Sequence, residues 1–184
     1  MYRLVRVEDK IRVPPERFGM AVEDAVKQSI ADKLECTIDP SIGVILTVTK
    51  IENIGEGKII PGDPGIHYQV VFELLTYKPE LHELVTGEVI DNTEFGAFVR
   101  IGPIDGLVHI SQIMDDFVSY DNKNSIFLGK QTRRTLKEGD KVRARIISIS
   151  WGEQNKIGLT MRQPSLGSIV WLEEEKKKKR KKNG

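Results

Sequence analysis

The chain has 184 residues, 39% hydrophobic and 30% charged, with a formal net charge of +1. That length is ample for two small domains, and no apolar run approaches the roughly 20 residues that a membrane-spanning helix needs, so no membrane association is expected. The charge is unevenly spread: residues 1–80 sum to −3, residues 81–172 are neutral and residues 173–184 sum to +4, which makes the first half a poor partner for a polyanion and points it toward protein contact.

Tyr2–Val7 and Ile11–Val13 alternate apolar and polar residues as a half-buried strand does, and Pro14-Pro15 ends the run. From Glu16 to Leu34, the residues Phe18, Val22, Ala25, Val26, Ile30 and Leu34 recur at spacings that predict a helix with one apolar face, with Pro15 in its first turn. Gly43–Ile51 and Ile66–Tyr77 are β-branched and long enough to be central strands. Residues 1–80 are therefore predicted to form an α+β domain, an antiparallel sheet with one main helix on a face.

Between the two long strands, residues 53–65 hold four glycines and two prolines, yet also the adjacent pair Ile59 and Ile60. A flexible linker has no use for two isoleucines. The segment Gly57, Lys58, Ile59, Ile60, Pro61, Gly62 is read as the tip of a hairpin whose apolar point docks into a partner. The alternative is that the isoleucines fold back on their own sheet. Lys58 does not stand at Walker spacing, so a phosphate cradle is not expected.

Beyond residue 80 the strands shorten. Gly87–Ile90, Phe95–Val99, Gly106–Ile110, Val142–Ile149 and Ile157–Met161 make about five strands punctuated by glycine, the pattern of an all-β OB-fold barrel. Alternation sets Phe95, Ala97 and Val99 on one face and Phe98 and Arg100 on the other. One face fills the barrel and the other can meet bases, which is the chemistry of a single-stranded nucleic-acid platform. Phenylalanine is usually buried, so at least one of Phe95 and Phe98 is expected in the core. Gly96 leaves room for a bend, for the close approach of another backbone or for a stacked base. Arg143 and Arg145 either flank the aromatic patch or form a solvated face, and His109 is either a hydrogen-bonding packing residue or a base contact.

Neither Cys36 nor His67, His82 and His109 stand at metal-ligand spacing, so no metal site and no cofactor is expected, and Cys36 is read as a small buried hydrophobe. A lone cysteine, with no secretory signal in Met1–Asp9, points to a reducing, cytoplasmic setting. Asp115-Asp116 is the carboxylate pair most tempting for a metal, but neighbours on a strand point to opposite faces, and no nucleophile and base are arranged for catalysis. The last stretch, Glu173-Glu174-Glu175 followed by a basic run to Lys182, has no apolar residue to fold with. Residues 173–184 are predicted to be a disordered basic tail that adds salt-sensitive phosphate attraction.

Residues from about Glu83 to Arg162 resemble the RNA-binding repeat of the largest small-subunit ribosomal protein, the S-one domain. The likeness rests on Gly87-Glu88-Val89-Ile90, Phe95-Gly96-Ala97-Phe98-Val99, Gly106-Leu107-Val108-His109-Ile110-Ser111, the Gly139-Asp140 turn and Leu159-Thr160-Met161-Arg162. It implies an RNA face made of Phe95, Phe98 and His109, with Arg143, Arg145 and Lys156 from later strands. Two departures stand out: Ser150 where many members carry Asp, and a segment between Gln112 and Thr135, with Tyr120, Phe127 and Arg133-Arg134, that is longer than in a minimal repeat.

The whole chain to about Trp171 resembles the family of archaeal RNA polymerase E-prime subunits and the seventh subunit of eukaryotic RNA polymerase II. The shared residues are Tyr2-Arg3-Leu4, Pro14-Pro15-Glu16-Arg17-Phe18, the loop Gly57–Gly65, Tyr68–Phe72 and Val85–Val89 leading to Phe95-Gly96. That resemblance implies a noncatalytic stalk subunit with domains at 1–80 and 81–172, supporting initiation and elongation. It would dock on the RNA polymerase core subunits near the clamp through its tip at 53–65, form a heterodimer with a small helical subunit and hold nascent single-stranded RNA. The rival is a general S-one RNA-binding protein of translation or the exosome, and the acidic docking domain ahead of the barrel argues against it.

Overall fold

The structure, a computed structural model, describes residues 1–151 and 156–182, and divides into two units, Met1–Lys78 and Pro79–Gly184. Lys156 falls among the described residues, at the start of a strand.

In the first unit, β1 (Tyr2–Val13), α1 (Val22–Leu34), β2 (Ile38–Asp39), β3 (Gly43–Ile59) and β4 (Ile66–Tyr77) build one antiparallel sheet in the order β1-β4-β3-β2. Alternation along β1 and β4 sends Ile11, Val13, Val70, Phe72 and Leu74 to one face, where Ala25, Val26 and Ile30 of α1 cover them. The helix starts later than its apolar spacing suggests. Pro15–Arg17 form a separate 3-10 turn and Phe18 is exposed, because Gly19 interrupts the run before α1 begins at Val22. Cys36 is exposed rather than buried: it follows the helix with φ at 60°, a left-handed residue that turns the chain out toward β2.

The hairpin between β3 and β4 is longer and its loop shorter than expected. β3 runs on to Ile59, and its register against β4 shifts at four places, the last between Ile54 and Gly57. These β-bulges absorb the glycines that looked like loop, leaving residues 60–65 as the connection. The connection is tied to β1. The Asp63 carboxylate accepts from Nε and Nη2 of Arg12 (2.8 and 2.7 Å) and from the Gly65 amide (2.9 Å), and it meets His67 Nε2 at 2.8 Å. The Arg12 guanidinium, foremost among these partners, holds the Asp63 carboxyl well below the usual carboxylate range.

The second unit is a closed barrel. Its strands are β5 (Leu84–Thr93), β6 (Gly96–Arg100), β7 (Asp105–His109), β11 (Lys141–Ser150) and β12 (Lys156–Thr160). They follow the order β5-β6-β7-β12-β11, and β11 pairs back onto β5, so the sheet has no open edge between them. The β7–β12 pairing is parallel and the others antiparallel. Val89, Ala97, Val99, Val108, Ile146 and Leu159 point inward and are almost fully buried. The long segment before β11 forms a small sheet of its own, β8 (Val118–Asp121), β9 (Ile126–Gly129) and β10 (Thr135–Leu136), whose Phe127 and Leu136 join the barrel core.

After the short β13 (Gly167–Ser168), the chain forms α2 (Ile169–Lys182) where a disordered tail was expected from residue 173. Trp171 and Leu172, just before the charged run, are buried and anchor the helix. Trp171 Nε1 donates to the Thr135 carbonyl (3.2 Å), Arg134 lies over the indole, and Arg134 pairs with Glu175 at 2.6 Å. Glu173 and Glu174 stand four residues before Lys177 and Lys178, the favourable polarity for helical ion pairs.

Phe72 is fully buried against α1, so Phe72→Ala should cost the first unit about 3–5 kcal/mol, read as an earlier denaturation transition for that unit. Asp63→Ala should speed hydrogen exchange at the Gly65 amide while leaving β1 and β4 protected. Because folding depresses the Asp63 pKa, its contribution is present above the unfolded carboxylate value, about 3.9, and is lost as pH falls through the lower folded value. Tip protection followed by exchange should therefore persist at mildly acidic pH and fail only in strong acid.

Candidate nucleic-acid interface and docking tip

On the outer surface of the barrel, register lines up Phe98 of β6, Leu107 of β7, Gly158 of β12 and Ser148 of β11 in one row across four strands. The row is large at one end and small at the other, and a cleft of about 730 Å³ opens over it. Its walls include Phe95, Phe98, Leu107, His109, Ile147 and Lys156. Gly158 is the floor: a Cβ there would lie 2.2 Å from the Ser148 hydroxyl, so a side chain at this position would displace Ser148 or fill the cleft.

Four of the six barrel residues singled out by the sequence therefore meet: Phe95, Phe98, His109 and Lys156. Phe95 stands where the family resemblance sets it, not on the face that alternation shares with Ala97 and Val99. β6 begins only at Gly96, so Phe95 sits in the preceding turn, outside the strand alternation, and is 48% exposed. Phe98 points outward and is half-buried, so neither ring belongs to the core. They pack on each other instead, edge to face, with centroids 6.0 Å apart. Gly96 serves the close approach of a backbone rather than a base, since a Cβ would stand 2.4 Å from the Val108 carbonyl oxygen.

Arg143 and Arg145 point outward too but do not flank the aromatics. Arg143 lies opposite Thr86 and Gly167, and Arg145 opposite Leu84 and Thr160. The row that starts at Phe98 reaches β11 only at Ser148, past a bulge at Ile147, so β11 offers the cleft Ile147 and Ser148 in place of guanidinium groups. Sequence reasoning missed Leu107 and Ile147. Leu107 was recoverable, because it shares the parity of His109 on β7. Ile147 was not, because the bulge that turns it outward leaves no mark in the alternation.

His109 closes one end of the cleft. The Ser111 amide donates to its Nδ1 (3.3 Å), and the Ser111 hydroxyl lies 2.9 Å from the same nitrogen. A ring nitrogen that accepts an amide carries no proton in the neutral ring, which puts the hydrogen on Nε2. The cleft thus combines two aromatic rings, aliphatic walls, an imidazole N–H donor and one ammonium, Lys156. Bases can stack there, and a phosphate can be held at its rim. Asp105 also borders it, and accepts from Arg100 Nε at 3.2 Å.

The acidic pair Asp115-Asp116 lies outside the cleft's lining and is structural. Asp115 pairs with Arg162, and Asp116 accepts from the amides of Gln131 (3.0 Å) and Thr132 (2.8 Å).

In the first unit, Gly57, Lys58, Ile59, Ile60, Pro61 and Gly62 are all exposed at the end of the β3–β4 hairpin. Ile59 is 75% exposed, facing solvent rather than its own sheet, and Ile60 is 38% exposed. An isoleucine held outward on a hairpin tied down by Asp63 is an apolar point on a rigid mount. Among the described residues, no helix is long and apolar enough to cross a membrane.

Residues 8–64 match the SHS2 domain found in the N terminus of Rpb7p/Rpc25p/MJ0397, and residues 78–162 match the S1 RNA binding domain. The DNA-directed RNA polymerase subunit Rpo7 of Saccharolobus shibatae is 38% identical over 96% of this chain and 99% of its own length. Rpo7 of Sulfolobus acidocaldarius is 40% identical over 95% of this chain and 97% of its own. The RNA polymerase III subunit RPC8 of Saccharomyces cerevisiae is 26% identical over 79% and 71%. With both domains matched in order and the likeness running through nearly the full length of the two Rpo7 subunits, the chain belongs to the Rpo7 family of archaeal DNA-directed RNA polymerase subunits.

Proposed function

We propose that the chain is a noncatalytic stalk subunit of RNA polymerase in which the two units divide the work. The first docks on core subunits near the clamp through Ile59 and Ile60, and the second holds single-stranded transcript in the cleft lined by Phe95, Phe98, His109 and Lys156. A small helical subunit is its heterodimer partner, and the assembly works in the cytoplasm. Polymer chemistry belongs to other subunits.

The observation that carries this reading is the pairing of an exposed apolar tip with an aromatic cleft on separately folded units. Seating one isoleucine in a partner pocket contributes about 1.5–3 kcal/mol, enough to bias a mobile clamp if the tip fits its closed state better than its open one. In the cleft, stacking contributes about 1–3 kcal/mol per base with little sequence preference. That suits a transcript whose sequence changes as it emerges.

Phe95→Ala with His109→Ala should weaken RNA binding by about tenfold or more and leave co-purification with polymerase intact. Replacing Ile59 and Ile60 with Asp should release the chain from polymerase with its thermal melting and RNA affinity unchanged. If either pair of substitutions abolishes both properties in a folded protein, the division of labour fails.

A further inference from the structure

We propose that the segment between β7 and β11 makes a second single-stranded RNA contact, in which Phe117 stacks on a base and Lys130 and Arg133 hold neighbouring phosphates. This rests on the RNA reading of the cleft and extends it.

Three observations converge on that segment. The first is Phe117 itself, 72% exposed. The other two aromatics of the segment are spoken for: Tyr120 packs on Phe127 at 5.1 Å, Phe127 is fully buried, and the Tyr120 hydroxyl donates to the Asn92 carbonyl at 2.7 Å. Phe117 is the one left facing solvent.

The second is rigidity. The Phe117 amide donates to the Asp116 carboxylate (2.6 Å), which also accepts from the Thr132 amide and hydroxyl, each at 2.8 Å. The Lys130 amide donates to the Phe117 carbonyl at 2.9 Å, so these two residues sit side by side across the end of β8 and β9. The amides of Thr132 and its neighbours hold the Asp116 carboxyl below its ordinary range. An aromatic on such a mount loses little freedom when a base stacks on it.

The third is charge. The segment between β7 and β11 sums to zero, but its acids Asp115, Asp116, Glu138 and Asp140 stand at its two ends, with Asp115 paired to Arg162 and Asp116 held by the Gln131 and Thr132 amides, while Lys123, Lys130, Arg133, Arg134 and Lys137 meet Asp121 alone in between. Arg134 is engaged by Glu175, whereas Lys130 and Arg133 are exposed. Among the described residues the cleft's lining has one ammonium, Lys156, and this segment adds the further cations that a polyanion needs. The reach is right as well. Gln112 lines the cleft and Phe117 follows five residues later, a span of at most about 18 Å, within a strand of the 4–16 nucleotides that an OB fold covers.

The test is fluorescence anisotropy of the full chain, with its partner subunit where it has one, against oligouridylates of about 5 and about 15 nucleotides, near the two ends of an OB-fold footprint. Phe117→Ala should weaken the long oligomer about fivefold or more, leave the short one unchanged and leave thermal melting unchanged, and Phe117→Trp should restore the long-oligomer affinity. Lys130→Ala with Arg133→Ala should flatten the salt dependence of the long oligomer by roughly 1.4 in logarithmic slope, about 0.7 per phosphate released. Unchanged long-oligomer binding in Phe117→Ala overturns this second contact, and the cleft reading survives if Phe95→Ala with His109→Ala still weakens both lengths. Should Phe117→Ala bind both oligomers normally but dissociate from purified polymerase, the face is a protein surface and the inference is overturned. A wild-type chain that binds neither length overturns both.

Discussion

Barrel closure is the constraint from which the aromatic cleft follows. β11 is bonded to β5 along one side and to β12 along the other, so each of its residues must choose between a sealed interior and the outer surface. Val142, Ala144 and Ile146 take the inside, and that choice is passed through the hydrogen-bond register to the other four strands of the barrel. Phe98, Leu107, Gly158 and Ser148 are then aligned on the outside whether or not they have any use there. The use comes from their sizes. Two large side chains followed by two small ones turn a convex barrel wall into a cleft, and the aromatic pair at its lip is held in place by ring-on-ring packing.

Much of this was legible in the chain because both domains obey simple periodicities. Strands β1, β4, β6 and β7 and the core-facing residues of α1 follow from alternation and from spacings of three and four. The cleft was half legible: Phe95, Phe98, His109 and Lys156 follow from motif, and Phe98 from parity as well. What could not be read has one common cause, the places where the backbone leaves its period. A turn ahead of β6 frees Phe95 from strand parity. A bulge in β11 replaces two arginines with Ile147 and Ser148, and four register shifts let β3 run through glycines that resemble loop. The helical tail escaped for another reason. Its stability comes from Trp171 and Leu172, which precede the charged run, and from ion pairing that a count of apolar residues within the run does not register.

The two units solve opposite electrostatic problems. In the first, several cations are consumed locally: Arg12 is committed to Asp63 at the base of the tip, Arg6 to Glu52 and Lys33 to Asp9, while Lys58 beside Ile59 stays exposed. In the second, pairing is selective. Arg100, Arg134 and Arg162 each meet a carboxylate, while Lys156, Lys130 and Arg133 remain exposed around surfaces that carry aromatic rings.

The bulges of β3 have a further consequence. Beyond the two residues paired with β2, the outer side of β3 meets no other strand of the described residues, so backbone amides and carbonyls line it for most of its length. A straight edge of that kind would template sheet growth between molecules. Repeated register shifts coil it instead, and Lys50, Glu52, Glu56 and Lys58 set charges along it. The irregularity that carries the hairpin to its apolar tip also denies a second copy a regular ladder to join, protecting the free subunit against amyloid-like stacking before it reaches its assembly.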